Sequence, residues 1–318
     1  MLARMHIPDG FLSPAVAGAT WIVAGAGVAV ALRTERRDSQ PMPAGILGAL
    51  SAFVFAAQMV NVPVAAGTSG HLVGATLAAT IVGPWRAVLV MTIVLAVQAV
   101  LFQDGGLAAL GANLIDMAMT APLAGYGIAR VAARAIRGTR GLAAGPVLGA
   151  FCATLAGATL TALWLALSGL YPLNGILPPM LLSHVAIGVL EAGLTGAIVA
   201  TLLRWRPDLI HGLDRDSSRS HAAATALGLL AVGLVVAAYV APFASSLPDG
   251  LEWTAERLGI ADRTRALAPA PFPDYGSSWA LPAGVATAIA GLVGTLVTGF
   301  IAWALSRRRD SPADAVHR

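Results

Sequence analysis

The chain contains no lysine; all 20 of its basic residues are arginine. A Walker loop, Gly-x-x-x-x-Gly-Lys-Ser/Thr, is therefore impossible, and ATP cannot be bound in the P-loop manner. If work is done on a substrate, the energy must come from another subunit or from an ion gradient. There is one cysteine, Cys152, inside an apolar run, which excludes a disulfide framework and a thiolate metal cluster. Charge is scarce too. Asp, Glu and Arg make up 11% of the residues, where soluble domains run near a quarter, and the mean hydropathy is +0.76. His-Glu-x-x-His, Gly-x-Ser-x-Gly and a dinucleotide fingerprint are all missing, so no catalytic residue and no cofactor are expected. Nor does the N-terminus read as a cleaved signal peptide: Arg4 is a lone charge, and Pro8-Asp9-Gly10 interrupts what would be its apolar core.

What is present is apolar. Hydrophobic segments fall at about 14–32, 44–61, 69–82, 85–103, 108–129, 143–168, 177–203, 222–243 and 280–305. Most reach the ~20 residues that a membrane-spanning helix needs. The expected fold is all-α, a polytopic membrane helical bundle of about nine transmembrane helices, seven plus two. The segments at 44–61 and 69–82 are short and flanked by glycine, so one is expected to be tilted, broken or re-entrant. Small residues at helical spacing, such as Ala15/Ala19 and Gly25/Ala29, suit close helix approach. The polar run 204–221 reads as a linker between a seven-span membrane part, 1–203, and a two-span part, 222–318, that holds a long loop.

With nine spans, 16 arginines fall on one side and four (Arg4, Arg257, Arg263, Arg265) on the other. By the positive-inside rule the first side is cytoplasmic and the N-terminus faces outward. The net charge of +4 thus reflects topology, and the expected surroundings are lipid, not nucleic acid. The protein is placed as a multi-pass protein of the bacterial cytoplasmic membrane.

The most informative stretch is Met5-His6-Ile7-Pro8-Asp9-Gly10-Phe11-Leu12-Ser13-Pro14. If the functional chain begins at Met5, its free amine, the His6 backbone nitrogen and the His6 imidazole supply three nitrogens in one plane. Planar nitrogen donors suit Ni(II) or Cu(II). A fourth donor is sought among polar residues in the outer halves of the spans. His71 follows the loop Gly67-Thr68-Ser69-Gly70, which allows its ring to approach His6, and neutral imidazole is a common ligand. Asn113, His184 and Gln103 are placed as residues that support the ligands. Gln58, Gln98, Asp116 and Glu191 are read as hydrogen bonds between helices that fix the packing. The loop between the last two spans carries Asp249, Glu252, Glu256, Asp262 and Asp274 against three arginines. It is expected to form a short helix near residues 248–258 and to assist loading through its negative charge, not to supply ligands.

Residues 5–14 resemble the N-terminal signature of the CbiM/NikM family, the substrate-binding membrane components of energy-coupling factor (ECF) transporters for cobalt and nickel. Phe53–Asn61, Gly67–Leu72, Gly83-Pro84-Trp85, Gln98–Asn113 and Ser183–Gly188 with Glu191 are similar to the same family. Residues 222–305, through Pro248-Asp249-Gly250-Leu251-Glu252, resemble its two-span PDGLE or NikN-type partner, here fused. The resemblance implies a metal held by the N-terminal amine, the backbone nitrogen and imidazole of the second residue, and a histidine that aligns with His71. It also implies ATP-driven import of Ni(II) or Co(II) with separate transmembrane coupling and ATPase subunits. Met1–Arg4 precede the motif, so the site expected from the family requires a start at Met5 or removal of the extension. A self-sufficient secondary transporter or channel is the alternative. A membrane enzyme of cobalamin assembly is a third, suggested only by how such families are labelled.

Overall fold

A computed structural model describes residues 6–38, 42–65, 67–213, 222–276 and 281–307. The first helix, α1 (Pro14–Arg37), starts where Ser13 accepts the Val16 N–H at 3.4 Å and proline occupies the first turn. It ends on Arg36 and Arg37, the charge sign that a helix C-terminus favours. Next come α2 (Ala44–Gln58), a two-residue antiparallel pairing of β1 (Val62–Pro63) with β2 (Ser69–Gly70), and α3 (Ala75–Val82). α4 (Pro84–Val97) continues as a π turn, Gln98–Phe102. α5 (Leu110–Asn113), a π stretch (Leu114–Thr120) and α6 (Ala121–Ile136) follow one another without a break. Then come α7 (Gly138–Leu167), α8 (Leu173–Trp205), α9 (Ala222–Val235, with π turn Val236–Val240), α10 (Gly250–Arg257) and α11 (Ala283–Arg307).

The protein is an all-helical membrane bundle. Among the described residues six helices are long and apolar enough to cross a membrane, and α2 is a shorter apolar helix. The α5–α6 rod is also long enough, at about 40 Å for 1.5 Å per residue. The third apolar segment differs from a full span. α3 has eight residues, about 12 Å, under half of a ~30 Å hydrocarbon core, and extended chain makes up the rest. Irregular backbone at such depth requires cover by protein, and every residue of α3 is buried.

Close packing comes from glycine. Gly141, Gly145 and Gly149 of α7 each abut a main-chain carbonyl of the α6 rod, those of Ala133, Ala129 and Gly125, where any side chain would collide. This small-residue stripe brings the two backbones into contact. The Gly25 position of α1, in contrast, meets nothing within 4 Å. α9 and α11 both pack on α2, so the two-helix part joins the bundle directly. At the arginine-bearing end, buried Arg86 donates to Glu35 and to Asp38 at 2.7 Å each, which ties the start of α4 to the end of α1.

Candidate metal site

At the other end of the bundle two buried histidines face each other. His6 is 3% exposed and His71 is 7% exposed, with ring centroids 6.0 Å apart and planes at 79°. Nε2 of His6 and both ring nitrogens of His71 are buried without a hydrogen-bond partner. Unpartnered buried nitrogen is costly unless something else occupies it. An ion bound to one nitrogen of each ring at imidazole-ligand distance lies roughly 3.2 Å from each centroid, so it can bridge up to ~6.4 Å. The observed separation falls within that reach. A cavity of about 90 Å³ opens beside both rings, lined also by Asn113, His184, Glu191 and Asp249. Among the described residues no group of three or more His, Cys, Asp or Glu side chains is arranged to hold a metal ion.

Local sequence explains how His6 arrives there. Asp9 anchors the N-terminal segment by accepting the Leu107 and Ala108 N–H groups at 3.0 and 2.7 Å. Gly106 packs so tightly on Asp9 that a side chain there would collide. Asn113 pins the next peptide from both sides: its Oδ1 accepts Ile7 N–H at 3.0 Å and its Nδ2 donates to Ile7 O at 3.1 Å. His6 Nδ1 lies 3.0 Å from an Asp104 carboxylate oxygen, and Tyr275 donates to the other oxygen at 2.6 Å. Burial alone would push the His6 pKa down, but the charge and hydrogen bonds of Asp104 outweigh it and the net shift is upward. Burial, then the Asp104 charge, push the Tyr275 phenol well up, so it stays a donor.

His71 is held differently. Ser69 donates its N–H to Pro248 O at 2.8 Å and its hydroxyl to Leu247 O at 2.7 Å. Downstream, Glu191 accepts the Val73 and Gly74 N–H groups, and Gln58 donates to Val73 O.

The sequence-predicted residues divide as follows. His6 and His71 come together, and Asn113 supports the segment that carries His6. Met5 lies outside the described residues. His184 lines the same cavity, but its Nδ1 is bonded to Met180 O at 2.7 Å. Gln103 turns away, with a left-handed backbone (φ 53°), to donate to Ala268 O, and it does not line the cavity. The planar three-nitrogen chelate closes only through His6 Nδ1, the atom that faces Asp104, so it requires the ring to turn; the free atom is Nε2.

The loop of the two-helix part is more intimate with the site than its charge suggested. α10 forms as expected, with Asp249 and Glu252 making a reciprocal capping box. Yet Asp249 is buried and lines the cavity, so it is not a solvated charge at the mouth. Its burial, then the Glu252 charge, push its pKa up. Sequence reasoning gave no particular role to Asp104, Asp249 or Tyr275 at the histidines, and read Glu191 as packing. Their spacing along the chain carries no signal, because each bond that brings Asp104, Tyr275 or Glu191 to the site spans 98 or more residues.

The fold is that of a polytopic membrane protein, with a buried imidazole pair whose ring nitrogens largely lack partners. Comparison with known proteins gives the family. The family described as "Cobalt uptake substrate-specific transmembrane region", CbiM, matches residues 6–209, and the PDGLE domain matches 223–308. The chain belongs to the CbiM/NikM family and carries a C-terminal PDGLE domain. A protein of Archaeoglobus fulgidus that bears the name of a fused nickel transport protein, NikMN, is 32% identical over 303 residues, covering 95% of this chain and 98% of that one. The fused nickel transport protein NikMN of Rhodobacter capsulatus is 34% identical over 227 residues, 65% of this chain and 64% of that one. A crystal structure titled as a transition metal transporter superposes with a TM-score of 0.57 at 36% identity, covering 68% of this chain and 99% of the other.

Proposed function

We propose that this chain is the substrate-binding membrane component of an ATP-dependent ECF-type importer of Ni(II) or Co(II). A cobalt/nickel transport role of the CbiM/NikM type follows from the family. The ECF assembly, with a separate transmembrane coupling subunit and ATPase subunits, is the finer part of the reading. Its support is that no lysine is present for a P-loop, so ATP would have to be spent on partner subunits. In this reading residues 1–203 form the metal-binding membrane part, 204–221 a cytoplasmic linker and 222–318 the PDGLE part. The N-terminus lies outside, following the arginine distribution.

The observation that carries the proposal is the buried His6–His71 pair, with three ring nitrogens lacking partners around one small cavity. Imidazole suits nickel, cobalt, copper and zinc and is a poor match for magnesium or calcium. Two imidazoles do not complete a coordination shell, and the amine of Met5, one residue before His6, is the further nitrogen that we assign. Asn113 supports the segment that carries His6; His184 is a more distant neighbour.

The test is uptake of Ni(II) and Co(II) by vesicles holding this chain, with and without coupling and ATPase subunits. Uptake is expected only with the partners and ATP. Equal uptake by the chain alone would replace the ECF reading with a self-sufficient transporter. Failure of the purified chain to bind either ion would remove the site.

A further inference from the structure

His71 poses a problem that the structure solves in an indirect way. A metal-ligating histidine is usually aimed by a hydrogen bond on its other ring nitrogen, from a carboxylate, a carbonyl or water. Neither His71 nitrogen has such a bond. The direction of the ring is therefore inherited from its main chain, an extended stretch inside a helical bundle. Before His71 that chain is held by the β1–β2 pairing and by the Ser69 contacts to residues 247 and 248. After it, the holding group is Glu191. This carboxylate sits in the middle of α8, 2% exposed, where an ionisable side chain is expensive. One oxygen accepts the Val73 N–H at 2.7 Å and the other accepts the Gly74 N–H at 3.0 Å. From the opposite side Gln58 of α2 donates to Val73 O at 2.7 Å, so residue 73 is held through both its N–H and its carbonyl. One turn before Glu191 on α8, Ile187 presses on Gly70, where an added Cβ would fall 2.7 Å from Ile187 Cγ1. The stretch around His71 is thus gripped on both flanks by one face of α8. Gly74, at φ 73°, then turns the chain into α3.

We propose that Glu191 is a positioning residue of the metal site: by holding the Val73 and Gly74 amides it aims the His71 imidazole at the cavity. The proposal rests on the reading of His71 as a ligand of the transported ion. A role confined to stability would be served by any group that satisfies two buried amides. A positioning role must also show in the geometry of the bound metal.

The experiment uses the purified full chain, calorimetry with Ni(II), and the ligand-field spectra of bound Ni(II) and Co(II). Glu191→Gln keeps the shape and one acceptor oxygen but turns an amide NH2 toward one of the two N–H groups. Glu35→Gln is the control; it damages a buried ion pair with Arg86 at the far end of the bundle. Glu191→Gln is expected to lower Ni(II) affinity by ~10–100-fold, the usual cost of losing an outer partner of a metal ligand, and to shift the ligand-field bands. Glu35→Gln is expected to lower the melting temperature and leave affinity and spectrum at wild-type values. Wild-type affinity and spectrum in Glu191→Gln, with His71→Ala unable to bind, would overturn the role of Glu191 alone. Equal spectral change in both glutamate variants would reduce it to general stability. Undiminished binding in His71→Ala would overturn both this role and the assignment of His71.

Discussion

His6 and His71 face each other from segments that are secured in opposite ways. His6 is aimed through its side chain, with Asp104 on Nδ1 and Tyr275 behind Asp104. The peptide after it is clipped by Asn113. His71 has no hydrogen bond on its ring and is aimed only through its main chain, by Glu191, Gln58 and the chain before Asp249. The difference follows from where each segment lies. The His6 segment precedes α1 and lies in no regular element, and a side-chain partner orients the ring directly. The His71 segment is an irregular insert between α2 and α3, whose amides must be paired in any case because water is scarce there. Pairing them fixes the ring without additional contacts. The contrast also assigns different work to the PDGLE part, which reaches His6 through a side-chain relay and His71 through main-chain carbonyls of residues 247 and 248.

The largest effect should come from the imidazoles themselves. His71→Ala and His6→Ala should each abolish calorimetrically detectable Ni(II) binding, while His184→Ala should weaken it by about tenfold or less, because His184 is already bonded to Met180. Equal losses at all three positions would move His184 into the coordination shell. The next effect concerns the chain start. A form that begins at Met5 should bind Ni(II) more tightly than the 318-residue form, and acetylation of its amine should reverse the gain. Equal affinity of the three would remove the amine from the donor set.

The asymmetry between the rings predicts a smaller, graded response. Asp104→Asn should weaken binding by ~10–100-fold and Tyr275→Phe by a few-fold, since the tyrosine acts one step further away. Tighter binding in Asp104→Asn would show that the metal takes His6 Nδ1 and that the carboxylate competes for it, which is the planar chelate read from the sequence. The smallest effect is expected at the exposed acids. Neutralising Glu256 and Asp262 should slow Ni(II) loading at low ionic strength, lose that effect near ~0.15 M salt, and leave equilibrium affinity unchanged. Slower loading at every salt concentration would assign the loop a conformational role.

The sequence by itself determined the class of the protein. A charged fraction of 11%, nine apolar segments and arginines gathered in alternate loops leave few folds other than a membrane bundle, because burial in lipid is a bulk property that composition reports directly. The Met5–Pro14 and Gly67–Leu72 stretches were legible as well, because each is a contiguous run whose residue types fit one chemistry. The short third segment was also visible, since its glycines and its length are local facts.

Tertiary structure alone decided which polar groups serve which histidine. Asp104, Glu191, Asp249 and Tyr275 are ordinary polar residues along the chain, and Glu191 reads there as a packing hydrogen bond. Gln103, and not Asp104 beside it, is the residue the sequence places near the ligands, yet a left-handed backbone at Gln103 sends its side chain to Ala268 and leaves Asp104 facing His6. The physical reason is that hydrogen bonds and metal coordination act over about 3 Å, while the contacts that bring these groups within that range are helix packings between segments far apart in sequence. A sequence specifies which side chains are available; the packing of α3, the α5–α6 rod, α7, α8 and the PDGLE loop around one small cavity specifies which of them aim the imidazoles.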